Sequence, residues 1–285
     1  MAVTGNTQLG ATKQELIAAL VQKELKFQAK LVGTVTDVSP FAVKGSKSVS
    51  FPNTGSFTVE NRATATAGTL QDLTFTAEKL DLDQRLYVGW LVDSFDEYQS
   101  NVNVQAEYVK RAATAHARKI DELILATIDA ASGYNQVGGI DLTKILNARK
   151  WLQKNQAVIS DCSLVVSAEG EADLLAIPEF VRADAYGSSN LPSGVIGKVL
   201  GLNVIVHTNP SLAKSFIYEK AAVALAFQKA PMYAEQKAVE YGTEAMKAAI
   251  DQLVGIKALQ IANGIDSIGG ALVAPASPLI AEIAD

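Results

Sequence analysis

The chain has 285 residues, 48% of them hydrophobic and 19% charged, enough for one large domain or two moderate ones with real cores. Its 25 Lys+Arg against 30 Asp+Glu give a net charge of -5, which supplies no basic face for gripping phosphates and excludes a strong nucleic-acid binder. A single cysteine, Cys162, excludes an intrachain disulfide and a paired-cysteine zinc site. The opening Met1-Ala2-Val3-Thr4-Gly5 lacks the basic and then apolar regions of a signal peptide. No apolar run reaches the length of a membrane span, so synthesis in a reducing cytoplasm is expected.

Residues 1–11 are small and polar and read as a flexible arm. Thr12 and Glu15 then form a capping box, and Leu16, Ile17, Leu20, Val21 and Leu25 follow at helical spacing to about residue 28. Over residues 46–80 the pattern changes to period two. Phe57, Val59, Ala63 and Ala65 alternate with polar residues, and after Gly68-Thr69 so do Leu73, Phe75 and Ala77. That predicts a β-hairpin. It has little apolar surface to offset an ordering cost of roughly 1–2 kcal/mol per residue. Either it packs against its own chain or it lies on a neighbour.

Residues 86–92 predict a dense apolar strand. A long helix is expected from Ser94 or Ser100 to Ala131, with Val104, Tyr108, Ala112, His116, Ile120, Ile124 and Ile128 on one stripe and Val109, Ala113 and Leu123 widening it. At about 32 residues it would be roughly 48 Å long and would need a large surface to lie on.

From Asp141 onward helices and strands alternate. A helix is predicted over 142–155, a strand over 163–167 and a short helix from Ala168 to near Pro178. The loop 184–193 is rich in Gly, Ser, Asn and Pro, and strands follow at 202–207 and 216–218. The alanine-rich 221–226 reads as a short helix or turn, 238–241 and 253–259 read as strand-like, and 269–285 reads as a tail.

No catalytic pattern survives inspection. Gly194-Val195-Ile196-Gly197-Lys198 lacks both the first glycine and the final Ser/Thr of a phosphate-binding loop. Ser167 reads as the cap of the helix behind it, with Glu169, Glu171 and Asp173 favouring that helix's positive end. His116 and His207 are the only histidines, and neither has an obvious metal or triad partner. Asp81-Leu82-Asp83 begins like a calcium loop but lacks its later ligands. No cofactor and no metal are expected.

The order of parts resembles the major capsid proteins of tailed bacteriophages. Ser48-Val49-Ser50-Phe51-Pro52 is similar to the opening of the long hairpin, or E-loop, in short-tailed phage capsids. Leu73-Thr74-Phe75 leading through Leu86-Tyr87-Val88 to Asp93 continues the likeness, as do Phe216-Ile217-Tyr218 before Ala221, Val223, Ala224 and Leu225. Tyr241-Gly242 and Leu253-Val254-Gly255-Ile256-Lys257 look like that family's closing strands.

The resemblance implies an α+β, HK97-type capsid fold. Its parts would be an N-terminal arm (1–45), an E-loop hairpin (46–82), a P-domain with a spine helix (83–140), an α/β A-domain (141–232) and a P-domain return with a tail (233–285). It implies a non-enzymatic coat subunit that joins itself in pentamers and hexamers around double-stranded DNA, without sequence-specific binding. Portal and scaffolding proteins, and optionally a decoration protein, would be partners, with no membrane involved. By the same resemblance Phe57, Val59, Leu73 and Phe75 would touch a neighbour, and the loop from Gly187 to Pro192 would surround the five- and six-fold axes. An encapsulin-like compartment shell and a cytosolic α/β enzyme are the alternatives. Neighbouring portal and terminase genes would favour the phage shell, and a compact small oligomer would favour the enzyme.

Overall fold

A computed structural model describes residues 29–54, 59–64, 66–72, 75–92, 104–177, 195–207, 209, 212–241, 245–259 and 280–284. The arm and helix expected before residue 29 lie outside them.

The first sheet has four strands in the order β1-β10-β11-β4: β1 (Thr36–Asp37), β10 (Val223–Lys237), β11 (Met246–Ala258) and β4 (Gln84–Val92). β10 and β11 form a long antiparallel pair from Val223↔Ala258 to Lys237↔Met246. Two register shifts between Phe227 and Met232 accommodate Pro231, which cannot donate to a ladder. β4 alternates between half-buried and exposed residues, the period of a strand with one face on a core.

The second sheet has six strands in the order β5-β12-β9-β6-β8-β7. They are β5 (Tyr134–Val137), β12 (Ile280–Ala284), β9 (Lys214–Glu219), β6 (Cys162–Val166), β8 (Leu202–Val206) and β7 (Val195–Val199). β6, β9 and the described part of β12 are buried throughout almost their whole length, as strands covered on both faces must be. A separate two-stranded ribbon pairs β2 (Ser48–Thr54) with β3 (Phe75–Asp81).

Three helices complete the architecture: α1 (Val104–Ala130), α2 (Leu142–Lys154) and α3 (Ala168–Ala176). α1 contains neither Gly nor Pro and is about 40 Å long. Its buried face carries Val109, Ala112, Ala113, His116, Ala117, Ile120, Ile124, Leu125 and Ile128. Tyr108, expected on that stripe, is exposed. A four-residue step overshoots the 3.6-residue turn by about 40°, so the stripe rotates away from the core and Val109 takes the inward place. A single apolar cluster runs from α1 into both sheets, joining Ile120, Ile124 and Ile128 with Val254, Tyr218 and Leu164.

Several sequence expectations need correction. The alanine-rich 221–226, read as a short helix or turn, is a 3-10 turn only as far as Ala222 (Lys220–Ala222), and from Val223 it opens β10. Residues 238–241 are a 3-10 turn at Val239–Tyr241. The stretch read as a tail contains β12, which is hydrogen-bonded between β5 and β9 inside the six-stranded sheet. Both β5 and β12 therefore share a sheet with residues 162–219, while residues 223–237 belong to the other sheet.

Candidate assembly surfaces

The base of the β2–β3 ribbon is built into the body. Val49, Leu80 and Leu82 are buried with Val38, Ala42, Ala224 and Ala226 in a small apolar cluster. Lys257 reaches across from β11, donating from Nζ to the Lys79 carbonyl at 2.7 Å and pairing with Glu78 at 3.4 Å. Gly255 allows this approach. A Cβ there would lie 2.5 Å from the Asp81 carbonyl oxygen, closer than backbone can tolerate.

Among the described residues the ladder ends at Thr54 and Phe75. Residues 59–64 and 66–72 form no strand, which corrects the expectation that the period-two pattern continues as a hairpin to its tip. All of these residues are exposed, Val59 at 95% and Leu70 at 98%. Alternation had set the composition but supplied no partner strand. Of the expected contact residues, Phe75 pairs with Thr54 at the last rung and Val59 stands in the open. Phe57, Leu73, Gly187 and Pro192 lie outside the described residues.

A second surface, unmarked in the sequence reading, is the face of the four-stranded sheet turned away from α1. Tyr87, Leu91 and Met232 are exposed there, and Tyr87 and Leu91 line a shallow groove of about 710 Å³ together with Ala234 and Ala249. Tyr87 folds over Gly89, its Oη 2.5 Å from where a Cβ would stand. Lys247, which lines the groove, pairs with Glu240, and Lys229 of β10 pairs with Asp251 of β11 at 2.7 Å. Lys247 also stands 5.1 Å from the Tyr241 ring centroid. The signal was present in β4, whose Tyr87 and Leu91 make its second face apolar as well.

The titratable groups are engaged in structure. Ser167 caps α3 as expected, accepting the Gly170 N–H at 2.9 Å. Burial pushes the Cys162 thiol up to about 12, which leaves no nucleophilic thiolate near neutral pH. His207 is buried, with Nε2 3.0 Å from the Lys214 carbonyl and Nδ1 accepting the Asn209 N–H at 3.4 Å, the pattern of a neutral ring. Lys214 pairs with Asp129 at 2.7 Å and with the buried Glu282 at 3.0 Å, tying β12 to the end of α1, and these bonds raise the lysine above its ordinary value. Glu282 also accepts the Ser132 hydroxyl at 2.8 Å. Among the described residues there is no group of three His, Cys, Asp or Glu that could hold a metal, and no helix long and apolar enough to cross a membrane.

A family model described as phage capsid protein matches residues 15–277. The chain belongs to that family. Its fold matches a solved structure from Mycobacterium phage Che8 with a TM-score of 0.69 at 20% identity, covering 90% of this chain and 91% of that one. The capsid of the cyanophage P-SCSP1u matches with a TM-score of 0.62 at 13% identity, over 88% of this chain and 86% of that one. The capsid of Ralstonia phage GP4 matches at 0.59 and 13% identity, over 87% and 86%. No curated protein matches the sequence. The capsid protein has the α+β, HK97-type fold and is a structural protein, not an enzyme. It is a major capsid protein of tailed phages, assembles with its own copies into the shell and resides in the virion.

Proposed function

We propose that the shell is built from pentamers and hexamers and encloses double-stranded DNA without reading its sequence. The chain is made in the bacterial cytoplasm and assembles with scaffolding and portal proteins, with room for a decoration protein. The six-stranded sheet with α2 and α3 serves as the A-domain, and the four-stranded sheet with α1 serves as the P-domain. The ribbon and residues 59–72 form the E-loop, laid over an adjacent copy with Val59 and Phe75 among its contacts. Phe57 and Leu73 belong to the same contact, and the stretch from Gly187 to Pro192 lines the axis.

The observation that carries this reading is the contrast along one ribbon. Its base is buried in its own chain, while Val59 and Leu70 are almost wholly exposed on a segment without a ladder. A segment of that kind gains its order from a partner surface. Electron microscopy of the chain expressed with its scaffolding and portal partners tests the reading. Closed shells of hundreds of copies are expected, and V59D/L70D should prevent them without lowering the melting temperature of the free chain. Monomers or small rings alone would overturn it.

A further inference from the structure

β4 is an edge strand that carries none of the usual protection. Among the described residues it is hydrogen-bonded on one side only, to β11, so its other side presents a row of open backbone groups. The pairing with β11 runs without a bulge from Gln84 to Val92, and the strand contains no proline and one charge, Arg85. Proteins blunt such edges with short length, charge, proline or a bulge, because a bare edge recruits another strand. The other edges among the described residues are blunted in these ways. β1 has two residues and β5 has four. β7 has a register shift between Val195 and Lys198. In the ribbon, β2 contains Pro52, and β3 contains Glu78, Lys79 and Asp81.

β4 is also apolar on both faces. Leu86, Val88 and Trp90 pack against the core, while Tyr87 and Leu91 are 70% and 39% exposed on the opposite face. A groove flanks each face, one of about 710 Å³ along Tyr87, Gly89 and Leu91 and one of about 380 Å³ along Val88, Trp90 and Tyr108 of α1. A strand added at this edge would satisfy the backbone and cover both faces at once.

The sequence of β4 matches itself. Laid antiparallel to a second copy with a two-fold axis at Val88, all nine residues pair, from Gln84 opposite Val92 inward. The same register sets Leu86 opposite Trp90 and Tyr87 opposite Gly89, so each ring has a glycine across from it. Tyr87 already lies over Gly89 of its own strand, its Oη 2.5 Å from where a Cβ would stand, and only glycine leaves the ring that room. Arg85 falls opposite uncharged Leu91, so no like charges meet. Moving the axis by one residue either way loses two rungs and separates Tyr87 from Gly89.

We propose that β4 pairs with β4 of a second copy about this axis, joining two four-stranded sheets into one of eight strands. A contact that uses the same patch on both copies closes after two. It is therefore a different contact from the one that builds pentamers and hexamers, and it does not depend on that architecture.

The register makes residues 85 and 91 neighbours across the axis, twice in each pair, and both are exposed. L91K sets like charges together, L91E sets opposite charges together, and R85E/L91K restores attraction with the signs exchanged. Sedimentation equilibrium of the free chain should show monomers and dimers. Dimerisation should be about tenfold weaker in L91K and about tenfold tighter in L91E, with R85E/L91K recovering what L91K loses. Cys162 is buried, so a spin label on R85C marks that position alone. Two such labels stand six residues and one strand apart, about 21 Å at Cα, which double electron–electron resonance reads in dimers and in assembled particles. A chain that stays monomeric throughout overturns the proposal. So does a dimer indifferent to the charges at 85 and 91, which would use another surface. Particles without the short R85C distance overturn it too, because a different segment, such as residues 59–72 of a neighbour, then holds the edge. Whether shells form is read separately by electron microscopy, so the shell function stands or falls on its own.

Discussion

Asp121, on α1, accepts the backbone N–H of Leu31 at 3.2 Å across a sequence separation of 90 residues, and its other oxygen accepts that of Lys30 at 3.1 Å. The two bonds fix the first described segment of the chain to α1. Just beyond it, the Thr34 hydroxyl donates to the Leu31 carbonyl and meets the buried Tyr218 hydroxyl at 2.5 Å. Burial raises the Asp121 carboxyl to about 6 against its ordinary 3.8, with the two N–H groups and the Lys30 charge opposing the rise. A folded value above the unfolded one means that this group's contribution is complete below about 3.8 and is lost as pH rises through 6. The difference is on the order of 3 kcal/mol. Thermal melts of the wild type and D121N from pH 4 to 8 should show the wild type gaining on the variant as pH falls through 6. A constant difference across that range would refute the assignment.

His116 should act in the opposite direction. Burial lowers its pKa, so the folded chain keeps the ring neutral while the unfolded chain takes up a proton below about 6.5. Stability from this residue is therefore present above 6.5 and is lost as pH falls toward the depressed folded value. H116L replaces a buried polar ring with an apolar side chain of similar volume and should raise the stability of the free chain by about 1 kcal/mol at pH 7.5. The gain should widen at pH 5.5. A variant less stable at both values would show that the ring is satisfied where it stands.

Lys214→Met tests the ion cluster at the end of α1. It leaves Glu282, buried in β12 between β5 and β9, without its cation. Removal should destabilise the chain by about 2 kcal/mol, measured by urea unfolding. E282Q with K214M should recover part of the loss, because the uncompensated charge is gone.

Trypsin should find Arg62 first among the described cleavage sites. It is exposed on a segment with no strand pairing, whereas Lys79 sits on the ladder beside buried Leu80. Brief digestion of the free chain, read by mass spectrometry, should give a cut after residue 62. The same exposure of assembled particles should leave that bond intact.

No covalent link between subunits is expected. Residues 48–78 contain no lysine to supply an amine, and Cys162 is buried with its thiol pushed up to about 12. Boiling particles in detergent with reductant should yield one band near 30.2 kDa, and a ladder would disprove the idea.

Much of the architecture was readable because some segments declare themselves locally. The helical periods of α1 and α2, the cap at Ser167 and the apolar runs of β4, β6 and β8 needed no tertiary information. β10 was missed because Ala221, Ala222 and Ala224 favour a helix by intrinsic propensity, and pairing with β11 overrides it. β12 was missed for a different reason: Ile280-Ala281-Glu282-Ile283-Ala284 is short, and its partners Tyr134–Val137 and Lys214–Glu219 lie far away in sequence. The exposed segment 59–72 shows the converse, alternation without a ladder. Of the surfaces, the ribbon was legible as a misfit. The outer sheet face was not, since it exists only once β4, β10 and β11 are side by side.

The position of β12 also bears on when a copy becomes competent to join others. Its strand completes the ladder between β5 and β9, so those two strands stay apart until residues 280–284 are in place. The long-range pairing makes closure of this sheet a slow step in folding, and a copy that has not taken it offers its neighbours a divided sheet.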